Sequence, residues 1–198
     1  METIQLIKSN ETNQLIVSFN IIKQMFADRG VDATALMSVT NEELIDMSAD
    51  SNHFTVNVND KMQLMYIFGK HKASDILNIV KESDMDYMLI VSKDKLNITF
   101  YKNVMNGNES KTKIQLFFIR ELMFNPYRHE LVPKHEILSK EEADHVTKLL
   151  NLKSKAQLPL IFQDDPIARY LFVRSGQVVR IVRNSSTSGL YYYYRYCV

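Results

Sequence analysis

Chain breakers are scarce in this sequence, with four prolines and five glycines among 198 residues. Two of the four prolines, Pro126 and Pro133, bracket a segment that cannot run as one helix. Proline has no N–H to give, and its ring clashes with the preceding turn. The organisation changes at this point, which puts a boundary within 125–133 and divides the chain into 1–128 and 129–198. A length of 198 residues lies between one and two ordinary domains. With 45% of its residues hydrophobic, the chain fills one core or two small ones, and disorder is excluded. No apolar run approaches the roughly 18 residues that cross a bilayer. Glu2, Lys8 and Glu11 interrupt the apolar stretch a signal peptide needs. A single cysteine, Cys197, allows no internal disulfide, so the chain is expected inside the cell.

Upstream of the break the patterning alternates between helix and strand. Leu15, Phe19, Ile22 and Phe26 recur at steps of three and four, which predicts an amphipathic helix over 10–29 ended by Gly30. Thr40 followed three residues later by Glu43 is a capping box that opens a second helix. Phe54, Val56 and Val58 alternate with polar residues, and Asn59-Asp60 turns the chain back, so 53–68 reads as a hairpin. A helix follows over 74–82. The continuous apolar run 87–91 reads as a strand buried on both faces, and 114–119 as another buried strand. Lys93-Asp94-Lys95 is expected in a charged loop and Asn106-Gly107-Asn108 in a turn. Strand, helix and strand over 62–92 give a right-handed crossover unit, hence an α/β layer structure.

Downstream, Ser139 and Glu142 form another capping box, opening a helix expected to turn Val146, Leu149 and Leu150 inward. Pro159 marks 158–162 as an edge strand. Asp165-Pro166 is a cap followed by proline at the first helical position, so a short helix runs over 167–172. The run 178–182 is a strand, 184–189 a polar loop and 190–198 a closing strand. The second domain is therefore small and α+β, with its last two strands adjacent.

Charge is unevenly placed. Residues 1–92 hold 7 basic and 13 acidic side chains, and 93–128 hold 7 and 3. Residues 166–198 carry five arginines with no lysine and no acid. Arginine without lysine favours fixed, forked contacts, although a solvated face is the ordinary reading of such a run. The chemistry-bearing motifs fail on spacing. His129 and His135 are six apart with Pro133 between them, whereas a helical zinc pair needs a spacing of four. Asp164-Asp165 has no further ligand nearby, and His53, His71 and His145 are isolated. The five glycines are too dispersed for a phosphate loop, and Cys197 reads as a small core residue. Tyr191 to Tyr194 on a strand point alternately to two faces, two inward and two outward beside Arg195. No catalytic site, metal or cofactor is expected, and the chain reads as a binding or assembly protein.

The C-terminal third resembles one known family closely. The carrying residues are His129-Glu130-Leu131-Val132-Pro133-Lys134-His135, Leu158-Pro159, Asp165-Pro166-Ile167-Ala168-Arg169-Tyr170, Gly176 to Arg183, Ser185 to Gly189, and Tyr194-Arg195. They are similar to the fifth subunit shared by eukaryotic RNA polymerases I, II and III, whose archaeal counterpart matches only this part. Phe19 to Met25 with Asp28-Arg29-Gly30 resembles the opening helix of the eukaryotic jaw domain. The resemblance implies an α/β jaw with restriction-endonuclease-like layers over 1–128 and an α+β assembly domain over 129–198. It implies a non-catalytic subunit that docks on the largest polymerase subunit and places its jaw beside downstream double-stranded DNA, with no membrane. Asp165, Pro166, Arg169, Tyr170, Arg183, Ser185, Thr187, Gly189 and Arg195 are then the expected assembly interface. The family's DNA-facing Thr-Pro-Ser-Ala is Leu96-Asn97-Ile98-Thr99 here, which leaves Lys93, Lys95 and Lys102 as the DNA-proximal candidates. Its Ser-Glu-Thr is Ser185-Ser186-Thr187, one charge fewer. A cellular member would work in the nucleus, and a viral one in the virion and host cytoplasm. The competing reading is a Mg-dependent nuclease built on Asp84, Asp86 and Lys93, although no Asp-x(n)-Glu-x-Lys arrangement is present.

Overall fold

The computed structural model describes residues 2–49, 52–69, 71–94, 98–107, 111–185 and 189–198. The chain divides into two compact units, Met1–Phe124 and Asn125–Val198, and each carries one four-stranded sheet.

The first unit opens with helix α1 (Glu2–Asp28), then the short α2 (Thr34–Ser38) and α3 (Asn41–Ala49). The predicted stripe of α1 is its buried face, since Leu15, Phe19, Ile22, Met25 and Phe26 are all shielded from water. Gly30 ends the helix at φ +68, the left-handed conformation that only glycine adopts freely. Thr40 caps α3 as its spacing predicts. Its backbone N–H donates to Glu43 Oε2 at 2.9 Å, and its Oγ1 accepts from the Glu43 N–H at 3.3 Å. Strands β1 (His53–Asn59) and β2 (Met62–Ile67) form the antiparallel hairpin. Helix α4 (Ala73–Glu82) then crosses to β3 (Tyr87–Ser92), which pairs with β2 in parallel. Helix α5 (Ile98–Gly107) crosses to β4 (Lys113–Phe118), parallel to β3, and the sheet order is β1-β2-β3-β4.

Strand β3 is buried at every position, as its unbroken apolar run requires. Met88 and Ile90 face one side, in a core with Met65, Ile67, Ile114 and Leu116 of the neighbouring strands, Ile76 and Val80 of α4 and Val104 of α5. The other side meets α1, where Phe26 sets its ring edge-on to Tyr87 at 6.5 Å. Two elements depart from the sequence reading. Asn106 and Gly107 are the last residues of α5 and not a turn, while Asn108 lies outside the described residues. The turn chemistry of Asn-Gly and the β-branched and aromatic residues of 98–104 argue locally against a helix. Burial of Val104 overrides them, and two parallel neighbours need a crossover element in any case. Helix α2 carries no periodic signal and is held by its buried Leu36.

The second unit contains β5 (Lys134–Ile137), α6 (Lys140–Leu149), β6 (Leu160–Ile161), α7 (Pro166–Leu171), β7 (Val178–Ser185) and β8 (Gly189–Cys197). The sheet order is β5-β7-β8-β6, with β7 and β8 an antiparallel hairpin and β6 a parallel edge strand. Both predicted caps are present. Ser139 Oγ accepts from the Glu142 N–H, and Asp165 Oδ1 accepts from the N–H groups of Ile167 and Ala168.

Three expectations are corrected. Leu149 and Leu150 are 66% and 45% exposed, not inward. Helix α6 stops there, Asn151 turns at φ 53, and Leu152 packs in their stead against the cluster of Leu138, Ala143, Val146, Leu158 and Val178. Asn184, Ser185 and Gly189 belong to strands and not to the expected loop, since Asn184 pairs with Leu190 and Ser185 with Gly189; 186–188 lie outside the described residues. None of Tyr191 to Tyr194 is fully buried. Tyr194 lies partly buried against the α6 cluster together with Tyr196, while Tyr192 is 52% exposed.

Candidate functional site

In the first unit the candidate lysines occupy different elements. Lys93 follows the carboxyl end of β3, where its backbone N–H donates to Ile67 O at 2.9 Å. Its Nζ lies 2.8 Å from Glu11 Oε1 of α1. Lys102 projects from α5 and is exposed. Lys95, with Leu96 and Asn97, lies outside the described residues. The pair at Lys93 is partly exposed, and such pairs are worth at most about 1 kcal/mol. A phosphate can compete with Glu11 for this ammonium.

Beside this pair is a feature that no sequence motif announces. A cavity of about 360 Å³ opens at the carboxyl ends of the parallel strands, lined by Phe68, Lys93 and Ile119 and by Glu11, Leu15 and Ile45 from the helices. Its signal is topological, since open space in α/β sheets collects at the carboxyl ends of parallel strands.

The nuclease arrangement fails on geometry. Asp84 and Asp86 precede β3 and Lys93 follows it. Six residues of strand at about 3.3 Å each hold them roughly 20 Å apart, so they cannot converge on one ion. Among the described residues no group of three His, Cys, Asp or Glu side chains is placed to hold a metal. No helix among them is long and apolar enough to cross a membrane.

In the second unit the candidate residues separate into those that build the module and those left on its surface. Asp165 is spent on capping α7, with Pro166 at the first helical position. Tyr170 is 2% exposed. Its hydroxyl accepts from Asn125 Nδ2 at 2.8 Å, and its ring stacks on Tyr127 at 5.5 Å. Tyr127 in turn donates its hydroxyl to His135 O. Arg169 is half-buried on α7. Cys197 is fully buried, and burial pushes its thiol up, away from the reactive thiolate. His129 and His135 have separate local tasks. The first accepts from the Leu131 N–H, and the second donates from Nδ1 to Pro133 O at 2.7 Å.

The β7–β8 hairpin carries Arg180, Arg183 and Arg195. Arg180 meets Glu136 through Nε at 2.8 Å and a terminal nitrogen at 2.7 Å, both on Oε2, while Lys134 takes Oε1 at 2.7 Å. Arg183 and Arg195 lie over the ring of Tyr193, with Cζ at 5.8 and 5.5 Å from its centroid. Arg195 also donates to Leu160 O at 2.8 Å. Gly189 opens β8 at φ +65, Ser185 ends β7, and Thr187 lies outside the described residues.

Comparison with known proteins adds a lineage to this geometry. A family profile described as RNA polymerase Rpb5, C-terminal domain, matches residues 124–197. The chain is 32% identical over 198 residues to a Dictyostelium discoideum protein named DNA-directed RNA polymerases I, II, and III subunit rpabc1, covering 95% of this chain and 99% of that one. It is 46% identical over 88 residues to the Caenorhabditis elegans RPABC1 subunit, covering 44% of this chain and 41% of that one. Over 66 residues it is 50% identical to DNA-directed RNA polymerase subunit Rpo5 of Thermofilum pendens, covering 33% and 81%.

Proposed function

This chain belongs to the family of the Rpb5 subunit shared by RNA polymerases I, II and III, and from that premise we propose how its two units divide the work. The chain is a subunit of a DNA-directed RNA polymerase. It contributes no catalytic group of its own and acts by assembly and positioning. The C-terminal domain, residues 129–198, docks on the largest subunit. The N-terminal domain, residues 1–128, is a jaw with restriction-endonuclease-like layers that lies beside downstream duplex DNA. Its place of work is the nucleus, in keeping with its eukaryotic relatives.

The observation that carries this reading is one of extent. The family match over 124–197 covers the compact unit Asn125–Val198, so what is shared with the family is a whole folding unit. The residues we assign to the largest subunit are the exposed Arg183 and Gly189, the half-buried Arg195, and Pro166 with the half-buried Arg169 on α7, with Ser185 and with Thr187, which lies outside the described residues, as further candidates. Asp165 and Tyr170 hold that surface in shape from within. On the jaw, Lys102 is an exposed cation on α5, and with Lys93 and Lys95 it makes a contact to phosphates that reads no sequence.

Co-purification tests the reading. A tagged full-length chain expressed in its own cells brings down the two large polymerase chains in equimolar amounts. Recovery without them overturns the assignment.

A further inference from the structure

Register brings the ends of the three parallel strands to one level. Ile67 of β2 lies beside Ser92 of β3, and Ser92 beside Phe118 of β4. The residues that follow, Phe68, Lys93 and Ile119, stand at the same height, and all three line the cavity of about 360 Å³ in the first unit. Leu15 of α1 and Ile45 of α3 supply apolar wall above them. A second space of about 440 Å³ adjoins this cavity, shares Glu11, Gln14 and Lys93 with it, and adds Arg120. Small-molecule sites run from about 300 to 1,000 Å³, mostly apolar with a few polar groups, and collect at the carboxyl ends of parallel strands.

The lining selects the ligand. Phe68 is half-buried and lies within 27° of the ring plane of Phe54 and within 10° of that of Tyr66, so it offers a further flat ring a stack already begun. Lys93 offers charge. Its side chain is 33% exposed, against 46% for Glu11, its partner at 2.8 Å. The lysine backbone is pinned to β2 through Ile67 O, whereas Glu11 sits on the outer surface of α1 and can release its carboxylate to water. A partly exposed pair is worth at most about 1 kcal/mol, so an incoming anion displaces Glu11 at little cost. We propose that this cavity binds a small aromatic anion, its ring against Phe68 among Leu15, Ile45 and Ile119, and its carboxylate or phosphate on the Lys93 ammonium with Arg120 beside it. A cationic ligand fits less well, because it would take Glu11 and leave the more enclosed member of the pair without its carboxylate. The proposal goes beyond the assembly reading and does not depend on it. Where the two meet, bound ligand and DNA phosphate compete for Lys93.

The test uses the full-length chain and two probes, indole-3-acetate for a carboxylate and adenosine monophosphate for a phosphate, titrated separately by calorimetry. The chain has no tryptophan, so the emission of the indole probe also reports its transfer out of water. Saturable binding at one site per chain is expected, and the tighter probe identifies the anion. Lys93→Gln weakens it about tenfold. Glu11→Gln removes the competing carboxylate and tightens it severalfold, a gain that damage to the fold does not produce. Ala49→Phe, at the exposed end of α3 on the cavity wall, fills the space and abolishes binding, with melting temperatures checking that each variant is folded. No saturation by either probe at millimolar concentration overturns the proposal and leaves the subunit assignment standing. Equal binding of neutral indole or adenosine, or affinity unchanged by Lys93→Gln and Glu11→Gln, overturns it as well.

Discussion

Ser18 is a polar residue in the middle of the apolar face of α1, fully buried, and it holds only because two hydrogen bonds close around it. Its proton goes to Leu15 O at 2.8 Å, so the Tyr66 hydroxyl, 2.9 Å away, donates to the serine oxygen. Burial pushes the Tyr66 phenol up, far from ionisation. Ser18→Ala strands that hydroxyl, and an unsatisfied buried group costs about 1–3 kcal/mol. Tyr66→Phe leaves Ser18 bonded to its own helix and costs less, an ordering that urea melts of the two variants read directly. Glu136 offers a pH test. Hydrogen bonds from Lys134 and then Arg180 hold its carboxyl below the usual carboxylate range. A lowered folded-state pKa stabilises the fold above the ordinary carboxylate value near about 4.3 and loses that contribution as pH falls through the folded value. Glu136→Gln therefore lowers stability by roughly 1 kcal/mol at pH 7, and the difference closes as the solution is taken into acid. A gap constant with pH would mean that packing, not charge, sets it.

At the scale of elements, legibility followed the range of the interactions. Caps were readable because each is a conversation across three residues, as at Thr40, Ser139 and Asp165. Strand β3 was readable because its unbroken apolar run had nowhere to go but a sheet covered on both sides. Helix α5 was not, since Asn106-Gly107 and the β-branched residues before it spoke for a turn, and the deciding burial came from strands far along the chain. Leu149 and Leu150 were misplaced for a related reason, because helical spacing assumes that the helix continues and α6 ends there. Lys102→Pro tests α5 with a residue that buries nothing. In a helix interior proline costs about 3 kcal/mol, whereas in a loop it would be close to neutral, and thermal unfolding of the variant separates the two.

At the scale of the whole molecule, sequence resemblance went further than any motif. It named the family, while charge and spacing alone had reached only a binding or assembly protein. What it could not distribute was labour among the named residues. Tyr170 and Asp165 are internal supports, and Lys93 shares its charge with Glu11. The Asp165 cap is local and was readable, whereas Tyr170 depends on Asn125 and Lys93 on Glu11, neighbours distant in sequence. These distinctions set the expected behaviour on DNA. Removing one phosphate-binding cation lowers the slope of log affinity against log salt by about one unit. Lys102→Ala shows nearly that change in the assembled polymerase, and Lys93→Ala shows less because Glu11 already competes for its ammonium. Equal slopes for both variants and the wild type would place the DNA-binding surface elsewhere.

The most direct test of the account is the composition of polymerase caught while transcribing. Complexes stalled on a DNA template and released intact for native mass measurement are predicted to contain one copy of this chain for each largest subunit. That ratio should hold through washes that strip loosely bound factors. A chain absent from the stalled complexes, or present well below one copy, would contradict its place as a polymerase subunit.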